Sequence, residues 1–246
     1  MTYIENIYLC LALPLLLSLF FIRGRSRRYA LFLVIGMTVC LLSAYVSSFF
    51  MGYYGADGTT AVIEITPVCE EGMKLLPLLF FYLIFEPAPQ ELPAAAIALA
   101  AGFATFENVC YLTENGAADF RFLLIRGIAA GALHILCGVL SGFGVSQVFC
   151  RRWLAVTGTV GILGACTGFH AIYNLLITAE GGWRMAGYLF PSALLAVLAI
   201  LSKKLDFFPR RRESLLSKNY RFSDNLCFDF AKHGRPKVPI RKLSPS

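Results

Sequence analysis

Three ionisable residues lie close together in a stretch that is otherwise apolar. The segment "PVCEEGMKLLPLLFFYLIF", from Pro67 to Phe85, carries Glu70, Glu71 and Lys74 near its start. In a helix Lys74 faces both glutamates, because residues three and four apart are neighbours on the helix surface. Each ionised group costs roughly 2.5–3.5 kcal/mol at the centre of a membrane helix, so chains keep such groups where they pair or do chemistry.

Further polar and ionisable residues occur in the three apolar segments that follow. Glu107 precedes Tyr111 by four residues in "FATFENVCY", and His170 precedes Asn174 by four in "FHAIYN". The segment between these two adds Arg126 and His134. A carboxylate that takes a proton from water acts as a general base, and His and Asn can donate to the oxyanion formed when that water attacks an amide carbonyl. The set therefore suits hydrolysis of a peptide bond inside the bilayer.

A metal ion is the second chemistry that these residues allow. Zinc takes His and carboxylate ligands, and catalytic zinc sites keep one position open for water. The candidate ligands are Glu70, Glu107, His134 and His170, although the chain has no H-E-x-x-H motif. Two alternatives follow, a glutamate protease with no cofactor and a zinc metalloprotease.

Non-catalytic roles are available to the same residues. An intramembrane His commonly makes an interhelical hydrogen bond, and two glutamates beside a lysine can form a structural ion pair or a proton or cation relay. A membrane scaffold or receptor is therefore an alternative to a protease, and an ion-coupled transporter is a third class. The transporter is the weakest of the three, because we find no convincing internal repeat.

The elements that must position these residues are membrane-spanning helices. The chain of 246 residues is 57% hydrophobic and 15% charged, with a mean hydropathy of +0.66. A helix needs about 20 mostly apolar residues to cross a bilayer, and the long apolar runs do not alternate as the strands of a barrel would. We therefore predict an all-α polytopic membrane bundle with seven spans, at residues 3–22, 29–51, 62–85, 92–114, 121–149, 154–179 and 186–202.

The positions of Lys and Arg predict the orientation of the bundle. They cluster in the first loop, "RGRSRR", in the fifth loop at Arg151 and Arg152, and at the start of the tail at Lys203 and Lys204. Positively charged loops stay in the cytoplasm, so seven spans place the amino terminus outside and the carboxyl terminus inside. The first span is interpreted as a retained helix rather than a signal peptide.

Most of the positive charge of the chain lies in its tail. Residues 203–246 contain twelve Lys/Arg and four Asp/Glu, a net charge of +8, whereas the rest of the chain carries −1. We predict a transmembrane domain at 1–202 and a basic, poorly ordered cytoplasmic tail at 203–246 that contacts anionic lipids. This location of the charge argues against a nucleic-acid partner.

Proline and glycine predict local features of the bundle. Pro67 and Pro77 bracket the acidic pair, and a proline within a helix frees backbone groups near it. Small residues at three- or four-residue steps allow helices to approach closely. Two such ridges occur, one at Gly127, Gly131, Gly138 and Gly142 and the other at Gly161, Gly164 and Gly168.

Three motifs, in order on successive predicted helices, resemble those of the PrsW-type intramembrane proteases. "EEGMK", Phe103 with Glu107, and His170 with Asn174 are similar to the E-E-x-x-K, F-x-x-x-E and H-x-x-x-N/D elements of that family. The CAAX prenyl endopeptidases and the Aph scaffold subunit of gamma-secretase share the pattern more distantly. The resemblance covers about residues 60–180.

The resemblance implies a multi-pass protease of the bacterial cell membrane. Its type member resembles a first-site protease that cleaves a single-span anti-sigma factor, so the implied partner is a membrane-anchored protein substrate. By position, Glu70 would activate water, Glu71 and Lys74 would tune it, and Glu107 would assist. His170 and Asn174 would polarise the carbonyl. In the prenyl endopeptidases a histidine matches Glu107.

Overall fold

The computed structural model describes residues 4–88, 91–116, 120–149 and 152–204. Within these ranges every regular element is a helix, so the predicted all-α fold is confirmed. Residues Met1–Leu201 form one compact unit. The tail from residue 205 onward lies outside the described residues, and so does the prediction that it is poorly ordered.

Each of the seven predicted spans overlaps one helix of 15 residues or more within the described chain. Short helical turns join the long helices at two places: a three-residue helix followed by a π-helical turn at the first, and a 3-10 turn at the second. In chain order the elements are α1 (Ile4–Ser18), α2 (Gly24–Tyr54), α3 (Gly58–Thr60), the π-helical turn (Ala61–Ile65), α4 (Thr66–Phe85), α5 (Glu91–Asn115), α6 (Phe120–Val148), the 3-10 turn (Arg152–Leu154), α7 (Ala155–Thr178) and α8 (Gly182–Lys204).

Five helices, α2, α5, α6, α7 and α8, are long and apolar enough to cross a membrane by length and composition. α1 has 15 residues, or about 22 Å at 1.5 Å per residue, which is short of a hydrocarbon core of about 30 Å. α4 has 20 residues but carries Glu70, Glu71 and Lys74. The structure therefore supports a multi-pass helical protein, and the count of seven spans stays a prediction.

α5 lies at the centre of the bundle, with α2 and α6 packed most extensively against it. Most of its alanines are buried, with Ala98 and Ala100 at 0% exposure, whereas Ala94 is exposed. Where α2 crosses α5, a Cβ atom at Gly36 would collide with the carbonyl oxygen of Leu99, and one at Gly102 would collide with that of Leu33. The two backbones are thus in direct contact, which only small residues permit.

One of the two predicted glycine ridges packs closely in part, and the other does not. A Cβ atom at Gly138 of α6 would lie 2.7 Å from the Cβ of Ala100, and one at Gly142 would lie 2.6 Å from the Cα of Pro93. Cβ atoms at Gly161, Gly164 and Gly168 of α7 would meet no atom of another helix within 4 Å in the described chain. The prediction for α7 is therefore wrong, because regular spacing identifies a face but not the neighbour that it meets.

Pro67 shapes the entry to α4, as its position predicts. The N–H of Thr66 donates to the carbonyl of Ala61, five residues back, which is the π-helical pattern. In that pattern the partner of the Val62 carbonyl is the nitrogen of Pro67, which carries no hydrogen. Asn174 of α7 supplies the missing donor, with its Nδ2 2.8 Å from the Val62 oxygen. A side chain of α7 is thereby fixed against the start of α4.

Candidate active site

Four helices, α4 to α7, bring the predicted polar residues together. Five of these side chains are buried although they are polar or charged. Their exposed fractions are 3% for Glu71, 5% for Lys74, 1% for His134, 4% for His170 and 7% for Asn174. The contacts described below join α4 to α7 and α6, and α6 to α5, so the site is a single polar network.

Lys74 occupies the middle of this network. Its Nζ lies 2.6 Å from Glu71 Oε1 and 2.9 Å from His134 Nδ1, and it sits 4.4 Å from the centre of the Phe103 ring. An ammonium group only donates, so His134 Nδ1 must accept. The Lys74 cation therefore fixes both the carboxylate of Glu71 and the tautomer of His134.

His134 connects Lys74 to a second group of residues on α5 and α6. Its Nε2 donates to Glu107 Oε2 at 2.5 Å. Glu107 Oε1 accepts from Arg126 Nη2 at 3.3 Å, and Arg126 Nη1 donates to Asn108 Oδ1 at 3.0 Å. Arg126 also lies 3.6 Å from the centre of the Tyr111 ring. Both oxygens of Glu107 are thus engaged, and the guanidinium is held on three sides.

His170 links the two glutamates of α4. Its Nδ1 donates to Glu71 Oε1 at 2.9 Å, which in the neutral ring leaves the lone pair on Nε2. That Nε2 atom lies 3.8 Å from Glu70 Oε2. A carboxylate that accepts from one ring nitrogen orients the other, so Glu71 directs His170 Nε2 towards Glu70.

Glu70 and Glu71 are adjacent in sequence but differ in their partners. Glu71 accepts from Lys74 and His170. Glu70 Oε2 is buried and has no hydrogen-bond partner in the described part of the chain. An unpaired buried acceptor costs about 1–3 kcal/mol, so its retention is typical of a functional site. Glu70 is the carboxylate of the pair with a free acceptor.

The structure brings together every residue that the sequence nominated and adds one that it did not. Asn108 was not predicted, although it follows Glu107 directly, and it is the acceptor that fixes Arg126. No residue type or spacing distinguishes it from other polar residues near helix ends. Its role follows only from the packing of α5 against α6.

The fit of a metal ion can be judged from the donor atoms. Those of Glu70, His134 and His170 lie within 4.8 Å of one another. Glu70 Oε2 and His170 Nε2 each offer a free lone pair. His134 does not, because Lys74 and Glu107 engage both of its nitrogens, and both oxygens of Glu107 are bonded too. Catalytic zinc sites use three protein ligands, so this arrangement is one ligand short.

Comparison with known proteins decides between the functional classes. A family model described as "PrsW family intramembrane metalloprotease" matches residues 25–201, which is more than half of the chain. The chain belongs to the PrsW family. "Protease PrsW" of Clostridioides difficile (strain 630) is 21% identical over 199 residues, covering 72% of this chain and 82% of that relative. No solved structure matches.

Membership in the PrsW family makes this chain an intramembrane protease of a bacterial membrane. The resemblance indicated by the three motifs is confirmed, and the scaffold and transporter alternatives lose their support. The PrsW match also extends beyond residues 60–180, because it includes α2 and α8. The expected boundaries were too narrow, since the motifs mark only the helices that carry the polar network.

Proposed function

We propose that this chain is an intramembrane endopeptidase that hydrolyses a peptide bond of a membrane-anchored protein with a water activated by Glu70. One observation carries the proposal: Glu70 Oε2 is buried, has no partner among the described residues and faces His170 Nε2. The neighbouring Glu71, by contrast, accepts hydrogen bonds from both Lys74 and His170 at its Oε1 atom.

The distance between the two free acceptors suits one water molecule. Two acceptors that share a water through hydrogen bonds of about 2.8 Å lie about 4.4 Å apart, and Glu70 Oε2 and His170 Nε2 are 3.8 Å apart. A water that donates to both directs its own lone pairs towards a substrate carbonyl. As the water oxygen bonds to the carbonyl carbon, Glu70 takes one proton and then passes it to the leaving amine.

The rest of the network keeps this pair of acceptors in place. Lys74 balances the charge of Glu71, and Glu71 fixes the ring of His170. Asn174, four residues after His170, anchors the same helix to the Val62 carbonyl. Groups fixed before the reaction need no reorganisation when charge develops, which is the main source of rate in such sites. These residues therefore position the reacting groups.

We propose that cleavage proceeds without a metal ion. Of the three candidate ligands whose donor atoms lie close together, Glu70 and His170 offer free lone pairs, and His134 is bonded at both nitrogens. A zinc ion would also lie close to the Lys74 ammonium, which repels it. No step of the mechanism above uses a metal.

The substrate class follows from the location of the site. The network lies between helices that carry many exposed large apolar side chains, as a lipid-facing surface does. A peptide bond reaches it most directly from a protein that is itself anchored in the membrane. The resemblance narrows this proposal to a single-span anti-sigma factor cleaved at the first site, and the basic tail is proposed to contact anionic lipids.

Proteolysis in proteoliposomes with a library of single-span substrates tests the mechanism. Glu70→Gln is expected to lower the cleavage rate about 10²- to 10⁴-fold, the usual contribution of a general base. The thermal unfolding midpoint should not fall, because Glu70 Oε2 has no bond to lose. Glu64→Gln, an exposed glutamate in the turn that leads into α4, is the matched control and should cleave at the wild-type rate.

The same assay separates the two mechanisms. Wild-type cleavage is expected to survive a strong chelator. Loss of cleavage on chelation that is restored by added zinc would assign the reaction to a metalloprotease, and wild-type rates in Glu70→Gln would remove Glu70 as the base.

A further inference from the structure

Tyr173 is a buried tyrosine with an unsatisfied hydroxyl group. Tyr173 is only 3% exposed, and its hydroxyl has no hydrogen-bond partner within the described ranges. Buried Tyr O–H groups usually find a partner, and an unmet one costs about 1–3 kcal/mol. Such a group needs an explanation beyond packing.

The position of Tyr173 places it beside the candidate active site. It lies three residues after His170 and directly before Asn174 on α7. Its ring belongs to a buried cluster with Ala129, Ala130 and Leu133 of α6, and Leu133 directly precedes His134. Tyr173 therefore lies at the α6–α7 interface, packed beside the residue that precedes His134 and one helical turn from His170.

The charged and imidazole donors of the site already have acceptors. Lys74 donates to Glu71 and His134, His170 Nδ1 donates to Glu71, and His134 Nε2 donates to Glu107. Arg126 is engaged with Glu107 and Asn108. A substrate carbonyl that enters the site needs a donor, and the Tyr173 hydroxyl is a buried donor for which the described residues provide no acceptor.

We propose that the Tyr173 hydroxyl donates a hydrogen bond to the carbonyl oxygen of the peptide bond being cleaved. The inference rests on the proposed peptidase function. When water attacks the carbonyl carbon, the carbonyl oxygen becomes an oxyanion, and a hydrogen bond to it strengthens. Glu70 on α4 would thus accept the proton of the attacking water, and Tyr173 on α7 would donate to the carbonyl oxygen.

Tyr173→Phe tests this inference, because it removes only the hydroxyl. In the proteoliposome assay kcat is expected to fall about 10²- to 10³-fold, with a much smaller change in KM, as for loss of one oxyanion donor. The thermal unfolding midpoint should stay the same or rise, since no intramolecular hydrogen bond is lost. Tyr188→Phe is the matched control: its ring packs against the same cluster, and its kcat should match that of the wild type.

The outcomes separate this inference from the proposed function. If the wild type cleaves, Glu70→Gln does not, and Tyr173→Phe keeps the wild-type kcat, the donor role is overturned and the proposed function stands. A fall in the unfolding midpoint of Tyr173→Phe that accounts for the lost activity also overturns it, because the hydroxyl would then be structural. If the well-folded wild type cleaves nothing, both proposals fail.

Discussion

Glu70 and Glu71 show how adjacent residues of one type acquire different roles. Successive side chains on an α-helix point about 100° apart, because the helix has 3.6 residues per turn. Glu71 therefore faces Lys74 and His170, and its side chain is 2% exposed. Glu70 points away from Lys74 and faces only His170 Nε2, with 12% exposure and one oxygen that has no hydrogen-bond partner among the described residues. One carboxylate builds the site and the other remains available for chemistry.

Lys74→Met is expected to destabilise the fold strongly. The substitution leaves Glu71 as an uncompensated buried charge and takes the donor away from His134 Nδ1. Breaking a buried pair in this way costs about 3–5 kcal/mol. The thermal unfolding midpoint in detergent, compared with that of the wild type, measures the effect.

The double variant Lys74→Met with Glu71→Gln is the control for this prediction. It removes both charges, and replacing a buried ion pair by uncharged groups is often close to neutral for stability. The double variant should therefore unfold at a higher temperature than Lys74→Met alone. Equal midpoints for the two variants would show that the charge of Glu71 is not what destabilises the single variant.

At the scale of the helices, the geometry of the site depends on how α2 crosses α5. α5 carries Phe103, which lies against Lys74, and Glu107, which accepts from His134. Gly36 of α2 lies against the Leu99 carbonyl, one turn before Phe103. A change in this crossing therefore displaces Phe103 and Glu107 relative to α4 and α6.

Gly36→Ala is expected to destabilise the protein and to lower its activity. The added Cβ atom would collide with the backbone of Leu99, which cannot rotate away as a side chain can. Overpacking of this kind typically costs about 1–3 kcal/mol. The thermal unfolding midpoint and the cleavage rate measure the two effects.

Gly52→Ala on the same helix is the control for Gly36→Ala. A Cβ atom at Gly52 meets nothing within 4 Å among the described residues, and alanine favours a helix over glycine by about 1 kcal/mol. Its unfolding midpoint should match or exceed that of the wild type. If both variants behaved alike, the close crossing would not explain the loss.

At the scale of the whole molecule, an ion pair joins the starts of two helices. Arg28, at the start of α2, lies 2.6 Å from Glu91, at the start of α5. The starts of α2 and α5 are thus at the same end of the bundle, as the predicted order of seven spans requires. The arginine-rich "RGRSRR" segment lies at the start of α2, so the positive-inside rule predicts that this end faces the cytoplasm.

Reporter fusions are expected to show this orientation. Alkaline phosphatase fused after Glu180, in the loop between α7 and α8, should be active because this enzyme folds outside the cytoplasm. A green fluorescent protein fused after Ser246 should fluoresce, because it matures in the cytoplasm. With seven spans, the reverse pattern would place the amino terminus inside and contradict the predicted orientation.

The positions of the long helices were predictable from the sequence because they depend on local composition. The predicted span 92–114 compares with α5 at Glu91–Asn115, and 154–179 compares with α7 at Ala155–Thr178. The residues of the polar network were predictable for a related reason. Ionisable side chains are costly in lipid, so a few in apolar segments stand out without any structure.

What the sequence by itself determined is therefore an all-helical membrane protein, its family and the set of polar residues in its site. Only the tertiary structure decided how these residues pair: that Glu71 rather than Glu70 holds Lys74, that Asn174 reaches the Val62 carbonyl, and that Asn108 fixes Arg126. It also showed that the glycine ridge of α6 packs against α5 at Gly138, whereas the glycine ridge of α7 meets no other helix among the described residues. Apolar length and charge act locally along a chain, whereas pairing depends on the rotation and crossing of helices, which packing of the whole bundle sets.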